Sequence, residues 1–370
     1  MARQDWTSHN HCMFEKQRVA ALSTVLSLAA LAIAATPVAA GGRNPYPHDA
    51  ELTISDVQML GTHNSYHQRP ARELIANEPA DYEHPPLDVQ LADEGIRSVE
   101  LDAFNGPTLP VLHSLLLDES STCPTLEGCL RTINTWSKAN RGHVPLILFI
   151  EPKALPVNTN PDLQAVLNNE ADGRGLANWD IGGFERLDAL VSRVFGRTLI
   201  TPDEVRGKRL TLRDAILRDG WPTLKATRGG VIVVLGASGV ERDVYLAGAP
   251  SLEGRAMFVP SSVAEPSAAI IKRDVPLPNA FPRIVGRNFL VKTRSDSDAV
   301  EARAGDLTRA TIAFASGANV VATDYPVSDP TIGAYVVDLP GTAIARCNPV
   351  TAPKWCRDRD IENAQGLRHP

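Results

Sequence analysis

Fully apolar runs alternate along the chain with longer stretches in which apolar residues recur every three or four positions. Runs such as LILFI (146–150) have no polar side, which is typical of strands buried on both faces of a parallel sheet. The pattern predicts eight strands, at residues 57–60, 96–104, 109–114, 144–152, 229–238, 256–260, 288–294 and 318–326.

The stretches between these strands have the spacing of amphipathic helices. In FERLDALVSRVFG (184–196), apolar residues stand at positions 187, 190, 191, 194 and 195, and comparable patterns cover 129–140 and 298–317. Eight strands with intervening helices predict a single-domain (β/α)8 barrel of the TIM type. An open, doubly wound α/β sheet is the alternative.

A targeting segment precedes the predicted barrel. Lys16 and Arg18 stand before the seventeen-residue apolar run 19–35, and small residues follow up to Ala40. This order is typical of a secretory signal peptide, with cleavage expected after Ala40 and export to the periplasm or the extracellular space. A retained membrane anchor is the alternative, but seventeen residues with two serines and a threonine are few for a span. The predicted organisation is a signal peptide at 1–40, a barrel domain at 41–340 and a C-terminal extension at 341–370.

Composition and cysteine content narrow the class of protein. The 370 residues are 43% hydrophobic, enough for a large core, and the formal net charge of −6 argues against a nucleic-acid binder. Four cysteines lie outside the predicted signal segment, in two close pairs, which predicts disulfides Cys123–Cys129 and Cys347–Cys356 in an exported protein. Metal ligation is the alternative, but no cysteine–histidine cluster surrounds either pair. No obligate protein partner is indicated.

Polar residues gather where the predicted strands end, which is where active sites of parallel barrels lie. They are His63, Asn64, Glu100, Asp102, His113, Glu151, Lys153, Lys292, Arg294, Asp324 and Tyr325.

Glu100 and Asp102 are two residues apart in one strand, so their side chains are expected to point together into the barrel. Bare carboxylates are too costly to bury, so they need a metal ion or basic partners. With Glu151 and the amide oxygen of Asn64 they form an all-oxygen set, which suits Ca²⁺, or less well Mg²⁺. The alternative is pairing with an internal Lys or Arg, for which Lys153 is the best candidate.

The two histidines at neighbouring strand ends predict acid–base chemistry. An imidazole titrates near neutral pH, so one histidine can accept a proton while the other donates one. Beside a metal and cations, His63 and His113 therefore predict phosphoryl transfer, with His63 as the base. His67, His84 and His143 have no comparable neighbours in the sequence pattern and are interpreted as loop residues.

The sequence resembles the calcium-dependent phosphoinositide-specific phospholipase C family in its secreted bacterial form. The resemblance rests on GTHNSYH (61–67), IRSVELDAF (96–104), VLHS (111–114), PLILFIEPK (145–153), the region 201–216, WPTL (221–224) and NVVATDYP (319–326). It implies a barrel that cleaves phosphatidylinositol at a membrane surface. The inositol 2-hydroxyl attacks phosphorus, diacylglycerol leaves, and a cyclic inositol phosphate forms, which water can open.

The resemblance also implies roles for individual residues. His63 matches the general base and His113 the general acid that protonates the diacylglycerol oxygen. The positions of the calcium ligands are matched by Asn64, Glu100, Asp102 and Glu151. Further contacts to the inositol ring and its phosphates are implied for Lys153, Lys292, Arg294 and Tyr325.

Three other functions compete with this interpretation. A glycerophosphodiester phosphodiesterase uses a similar barrel, but it usually begins with a His-Arg-Gly turn, whereas Asn64 and Ser65 follow His63 here. A metal-independent phospholipase C has a basic residue in place of calcium, and the three carboxylates argue against it. A non-catalytic barrel that binds phosphoinositol lipids is the third.

Overall fold

The computed structural model describes residues 45–70, 78–341, 344–364 and 366. The predicted signal peptide, 1–40, and its cleavage point lie outside the described residues. In the part of the chain that is described, no helix is long and apolar enough to cross a membrane.

One curled α/β sheet of mainly parallel strands forms the centre of the protein. The described residues contain eight strands in one sheet, ordered β4-β3-β2-β1-β7-β6-β5, and β8 pairs with β1. The seven strands of this path run parallel, whereas β8 is antiparallel to β1. The strands are β1 Val57–Thr62, β2 Ser98–Phe104, β3 Leu146–Lys153, β4 Val231–Leu235, β5 Ile270–Lys272, β6 Leu290–Arg294, β7 Val320–Thr323 and β8 Ala345–Cys347.

The segment 256–260 lies between the two end strands of this path. It pairs with each by a single parallel bridge, Val234↔Phe258 towards β4 and Pro260↔Ile270 towards β5. Because Pro260 has no amide hydrogen, this segment cannot extend a regular ladder through that position. The sequence therefore predicted the position of this segment but not its irregular pairing.

Helices cover the sheet between successive strands. Those of the described residues are α1 Leu87–Ala92, α2 Leu126–Ala139, α3 Pro161–Gly173, α4 Ile181–Phe195, α5 Pro202–Arg206, α6 Leu212–Arg218, α7 Leu224–Thr227, α8 Gly239–Leu246, α9 Phe281–Val285, α10 Val300–Ala304, α11 Thr308–Ala315 and α12 Asp358–Ile361. The helices predicted near 129–140 and 184–196 are confirmed as α2 and α4. Each begins at a side-chain cap: Thr125 accepts from the Gly128 amide and Asp180 from the Gly183 amide. The helix predicted over 298–317 is divided into α10 and α11.

The strand predicted at 109–114 is wrong. Only single bridges link this segment to its neighbours, through Val111 to Ala103 and through Pro110 to Thr125. Leu109 has a positive φ of 47°, and Pro110 cannot donate to a ladder, so the segment forms a loop that carries His113. The segment 256–260 is likewise not a regular strand, and the eight strands of the sheet include β5 and β8, both of which the sequence analysis missed.

The C-terminal segment packs against the base of the sheet. β8 pairs with β1, and the buried side chain of Glu362 accepts hydrogen bonds from Arg97, also buried, and from the Val144 amide. Both predicted disulfides, Cys123–Cys129 and Cys347–Cys356, are present.

Candidate active site

Polar side chains from six strands meet where the parallel strands end. His63 and Asn64 directly follow β1, and Asn64 has a positive φ of 43°, a conformation that asparagine tolerates better than most residues. Asp102 of β2 lies in register with Glu151 of β3, and Glu100 lies two residues earlier on the same face as Asp102. The remaining members come from the ends of β5, β6 and β7.

His63 is held by an aspartate and an arginine. Its Nδ1 donates to Asp324 Oδ1 at 2.8 Å, and Arg294 donates to the other oxygen of Asp324 at 2.6 Å. Arg294 Nη1 lies 3.3 Å from His63 Nε2. Because a guanidinium only donates, Nε2 is the accepting nitrogen, and this tautomer can take up a proton there. Burial raises the pKa of Asp324, but the charges of Arg294 and His63 outweigh it and lower the pKa to about 2.

His113 is oriented by a different aspartate. Its Nδ1 lies 3.0 Å from Asp118 Oδ2, and its side chain is 41% exposed. Burial raises the pKa of Asp118, but hydrogen bonds from His113 and His67 outweigh it and lower the pKa to about 2. The ring of His113 is therefore accessible to solvent, while its Nδ1 is held by Asp118.

Aromatic rings connect the two histidines. The ring of His63 lies 6.3 Å from that of Tyr82, which stacks on His67 at 4.4 Å between centroids. His67 in turn lies edge-on to His113, with centroids 6.3 Å apart. The structure thus brings the two predicted acid–base residues to the same end of the sheet.

Three lysines pair with the three predicted carboxylate ligands. Glu100 accepts from Lys272 at 2.8 Å and from Lys292 at 2.6 Å. Lys153 lies 3.1 Å from Asp102, and Lys272 lies 3.4 Å from Glu151. The pairing with internal lysines that was the alternative in the sequence analysis is therefore present, and it includes Lys153.

Within this cluster, the pKa values of Glu100 and Asp102 are shifted in opposite directions. Burial raises the pKa of Glu100, but Lys272 and Lys292 outweigh it and hold that pKa well below the usual range. Burial dominates for Asp102, so its pKa is raised despite Lys153. Asp102 Oδ1 is buried and has no hydrogen-bond partner. This oxygen is the best candidate in the cluster for a ligand from outside the chain.

The residues present fit calcium in their chemistry, although the lysines compete for them. Within the described ranges, no group of three or more His, Cys, Asp or Glu side chains is arranged to hold a metal ion. The donor set is nevertheless all oxygen, as Ca²⁺ prefers, and Asp102 offers an unpartnered carboxylate oxygen. For Glu100 and Glu151 to bind calcium, Lys272 must release them.

The other predicted substrate contacts differ in accessibility. Lys153 has a side chain that is 22% exposed, whereas Lys292 is buried beneath Glu100 and against the ring of Phe149. Arg294 is occupied by Asp324 and His63. Tyr325 is 1% exposed, and its ring packs edge-on against Tyr335.

The three histidines interpreted as loop residues do lie outside the helices and strands, but they are not without partners. His67, His84 and His143 are all buried and hydrogen-bonded. Burial lowers the pKa of His84 and of His143 to about 4. The partners of His67 and His84 are distant in the chain, and burial of His143 depends on how α2 packs, so no local pattern indicates these contacts.

Three further residues of the site were not predicted: Tyr82, Asp118 and Lys272. Asp324 was noted at a strand end but was given no role, and the structure shows that it binds His63. Lys272 ends a strand of three residues, which is too short for a periodic signal, and Asp118 and Tyr82 lie in loops.

A cavity of about 490 Å³ opens beside this cluster. Glu151 and Lys272 line it, together with Arg242 of α8, Glu265 from the loop before β5 and Asp274 from the loop after β5. Its volume lies in the range of small-molecule sites, and its polar lining suits a hydroxylated or charged ligand.

Two aspartate-oriented histidines and a carboxylate–lysine cluster, at the carboxyl ends of a parallel α/β sheet, define an acid–base phosphodiester hydrolase. The sequence model described as "Phosphoinositide phospholipase C, Ca2+-dependent" matches residues 52–108 and 103–349. The chain belongs to this family, and it is a phosphoric diester hydrolase of the phospholipase C type. The resemblance inferred from the sequence is thereby confirmed.

Solved structures share the fold at low sequence identity. A Ca²⁺-dependent phosphatidylinositol-specific phospholipase C from Streptomyces antibioticus aligns with a TM-score of 0.50 and 19% identity, over 74% of this chain and 95% of that one. An apo calcium-dependent phosphoinositol-specific phospholipase C from a Pseudomonas species gives 0.53 and 16%, over 82% and 99%. Its myoinositol complex gives 0.54 and 15%, over 82% and 99%. No curated protein matches the sequence significantly.

Proposed function

We propose that this phospholipase C is secreted, uses calcium and cleaves phosphatidylinositol-type lipids to diacylglycerol and an inositol phosphate. The observation that carries the proposal is the pair of oriented histidines. His63 Nδ1 is fixed by Asp324 and His113 Nδ1 by Asp118, which leaves one ring nitrogen of each for proton transfer. Family membership supports the reaction class and the metal.

In this proposal, His63 and His113 act in turn on the two oxygens of the reaction. His63 Nε2 removes the proton of the inositol 2-hydroxyl as that oxygen bonds to phosphorus. His113 Nε2 gives its proton to the diacylglycerol oxygen as the phosphorus–oxygen bond breaks. The product is a cyclic inositol phosphate, and the same residues in exchanged roles can add water to it.

We assign the calcium to Asn64, Glu100, Asp102 and Glu151. When bound, calcium supplies positive charge that acidifies the 2-hydroxyl and balances the charge of the phosphate. Lys153 and Arg294 are the proposed contacts to the phosphate and inositol groups. Lys292 and Tyr325 would reach the substrate only after the side chains that bury them have moved.

The same proposal covers architecture and location. We propose that the segment 256–260 closes the sheet into a TIM-type barrel. Its single bridges to β4 and β5 support this interpretation. The catalytic domain would extend over 41–340, followed by an extension at 341–370. Secretion after removal of residues 1–40 is supported by the two disulfides, because such bonds persist in oxidising compartments.

The first test is phosphatidylinositol cleavage by residues 41–370, with products followed by phosphorus NMR in calcium and in excess chelator. The proposal expects diacylglycerol and a cyclic inositol phosphate in calcium alone. Cleavage that survives the chelator would show that the lysines, not calcium, balance the carboxylates. Turnover of glycerophosphodiesters without cleavage of phosphatidylinositol would instead favour a glycerophosphodiester phosphodiesterase.

A further inference from the structure

The carboxylate that orients His113 is shared with a second, buried histidine. Asp118 Oδ2 lies 3.0 Å from His113 Nδ1 and 2.9 Å from His67 Nε2. The other oxygen, Oδ1, is buried without a hydrogen-bond partner. Both side-chain contacts are therefore made by one oxygen, and the position of that oxygen decides where the ring of His113 points.

Backbone hydrogen bonds close the turn that carries both His113 and Asp118. Ser114 and Asp118 exchange two backbone hydrogen bonds of 2.9 and 3.0 Å, and the His113 amide donates to the Asp118 carbonyl at 3.1 Å. Between them, Leu117 is 63% exposed and Leu116 has a positive φ of 68°. The turn is held by these bonds and by the buried Leu115, whereas the side chain of Asp118 is oriented through its contacts to His113 and His67.

His67 contacts Asp118 from a fixed position. Its side chain is 1% exposed, its Nδ1 donates to the Tyr82 carbonyl at 3.0 Å, and its ring stacks on Tyr82. Its backbone amide donates to Asn64, and its backbone pairs with Ser121 in an isolated antiparallel bridge. His67 is therefore held by its backbone, by the hydrogen bond of its Nδ1 and by the stacking of its ring.

We propose that His67 is a positioning residue for the general acid and acts through Asp118. It holds the Asp118 carboxylate, which holds His113 so that Nε2 is aligned with the leaving oxygen. No proton passes through His67: the proton leaves His113 Nε2 and joins the diacylglycerol oxygen as its bond to phosphorus breaks. This inference rests on the proposed role of His113 as general acid.

Two substrates can distinguish the loss of a correctly positioned general acid from a general loss of activity caused by damage to the site. Phosphatidylinositol has an alkoxide leaving group, which needs a proton. An inositol phosphodiester of 4-nitrophenol has a leaving group that departs without one. Loss of acid function should therefore reduce kcat on the first substrate and spare the second.

The variants are His67→Leu, which removes both ring contacts, and His67→Gln, which keeps a side-chain N–H donor. We expect His67→Leu to lower kcat on phosphatidylinositol by about 10- to 100-fold and on the nitrophenyl substrate by less than about threefold. His67→Gln should recover much of the loss. His143→Gln, at a buried histidine away from the site, is the matched control and should show no preference between the substrates.

Asp118→Asn provides a second route if His67→Leu does not fold, and it should show the same selective loss. An equal decrease on both substrates, or no decrease on either, would overturn the inference. His113→Ala separates this from the proposed function. If His113→Ala does not selectively lose phosphatidylinositol cleavage, the role of His113 fails; if it does and the His67 variant does not, only the positioning role of His67 fails.

Discussion

At the scale of single residues, the proposed base depends on two neighbours for its chemistry. Asp324 accepts from His63 Nδ1, and Arg294 approaches His63 Nε2 while it also binds Asp324. These contacts select one tautomer and hold the ring in place. Arg294 must yield its position near Nε2, or share it, when a substrate hydroxyl arrives.

Replacing Asp324 by asparagine should therefore reduce activity much more than substrate binding. An amide can donate to Nδ1 and so favour the wrong tautomer, in which Nε2 carries the proton. We expect kcat on phosphatidylinositol to fall by about 10²- to 10⁴-fold with a small change in KM. Steady-state kinetics test this, and calcium affinity should stay near that of the wild type. An unchanged kcat would show that Asp324 does not set the tautomer of the base.

At the scale of elements, neighbouring strands supply opposite charges to one cluster. β2 and β3 contribute Glu100, Asp102 and Glu151, while β5 and β6 contribute Lys272 and Lys292. The lysines neutralise the carboxylates in the absence of another cation. They therefore stabilise the strand ends and, in the proposed function, would compete with calcium for the same carboxylates.

Single substitutions in β2 and β6 should change calcium affinity in opposite directions. Lys292→Met removes a competing positive charge from Glu100 and should tighten calcium binding by about tenfold, a conservative value for one charge at contact distance. Asp102→Asn removes a ligand charge and should weaken binding, with activity partly recovered at higher calcium. Isothermal titration calorimetry measures both. If Lys292→Met lowered the calcium affinity as Asp102→Asn does, Lys292 would not compete with calcium for Glu100.

The junction of α2 with β3 should make the stability of the protein sensitive to pH. His143 is buried there, with Nδ1 donating to the Val144 carbonyl and Nε2 accepting from Ser137. Its pKa in the folded protein is about 4, below the value of about 6.5 expected in the unfolded chain. The unfolded chain therefore binds the extra proton first as the pH falls.

It follows that His143 lowers the free energy of unfolding between about pH 6.5 and pH 4, by up to about 3 kcal/mol. Denaturant unfolding at pH 7 and pH 4 measures this difference. In His143→Gln the difference between the two pH values should be smaller by most of that amount, even though the variant is less stable at pH 7. An identical pH dependence in variant and wild type would rule out His143 as the cause.

At the scale of the whole molecule, the C-terminal segment ties the two ends of the described chain together. β8 pairs with β1, Cys347 is bonded to Cys356, and Glu362 binds the buried Arg97. β8 pairs with the first three residues of β1, and Arg97 directly precedes β2, so these contacts lie at the amino-terminal ends of the strands, away from His63 and Asp102. The segment is therefore expected to affect stability and not the chemistry.

Replacing Cys347 and Cys356 together by serine should lower the free energy of unfolding by about 2–3 kcal/mol, because the disulfide limits the unfolded chain. The kcat of the folded enzyme should remain within about twofold of the wild type. Denaturant unfolding and steady-state kinetics test both statements. The double serine variant of Cys123 and Cys129 is the contrast: it loosens residues that pair with Tyr66 and His67, so kcat should fall as well. A large loss of kcat in the first variant would contradict the structural assignment.

The sequence by itself determined the parallel α/β architecture, the family, the two disulfides and most of the polar residues at strand ends. These features are local: apolar runs, i to i+2 spacing and close cysteine pairs depend on neighbouring positions in the chain. Only the tertiary structure decided the partners of these residues. Lys272 meets Glu100 across 172 positions and Asp324 meets His63 across 261, and no local pattern encodes such distant contacts. The loop at 109–118 and the short β5 escaped prediction for a related reason. Single bridges, a positive φ and a three-residue strand leave no periodic signal, because the surrounding fold holds them in place.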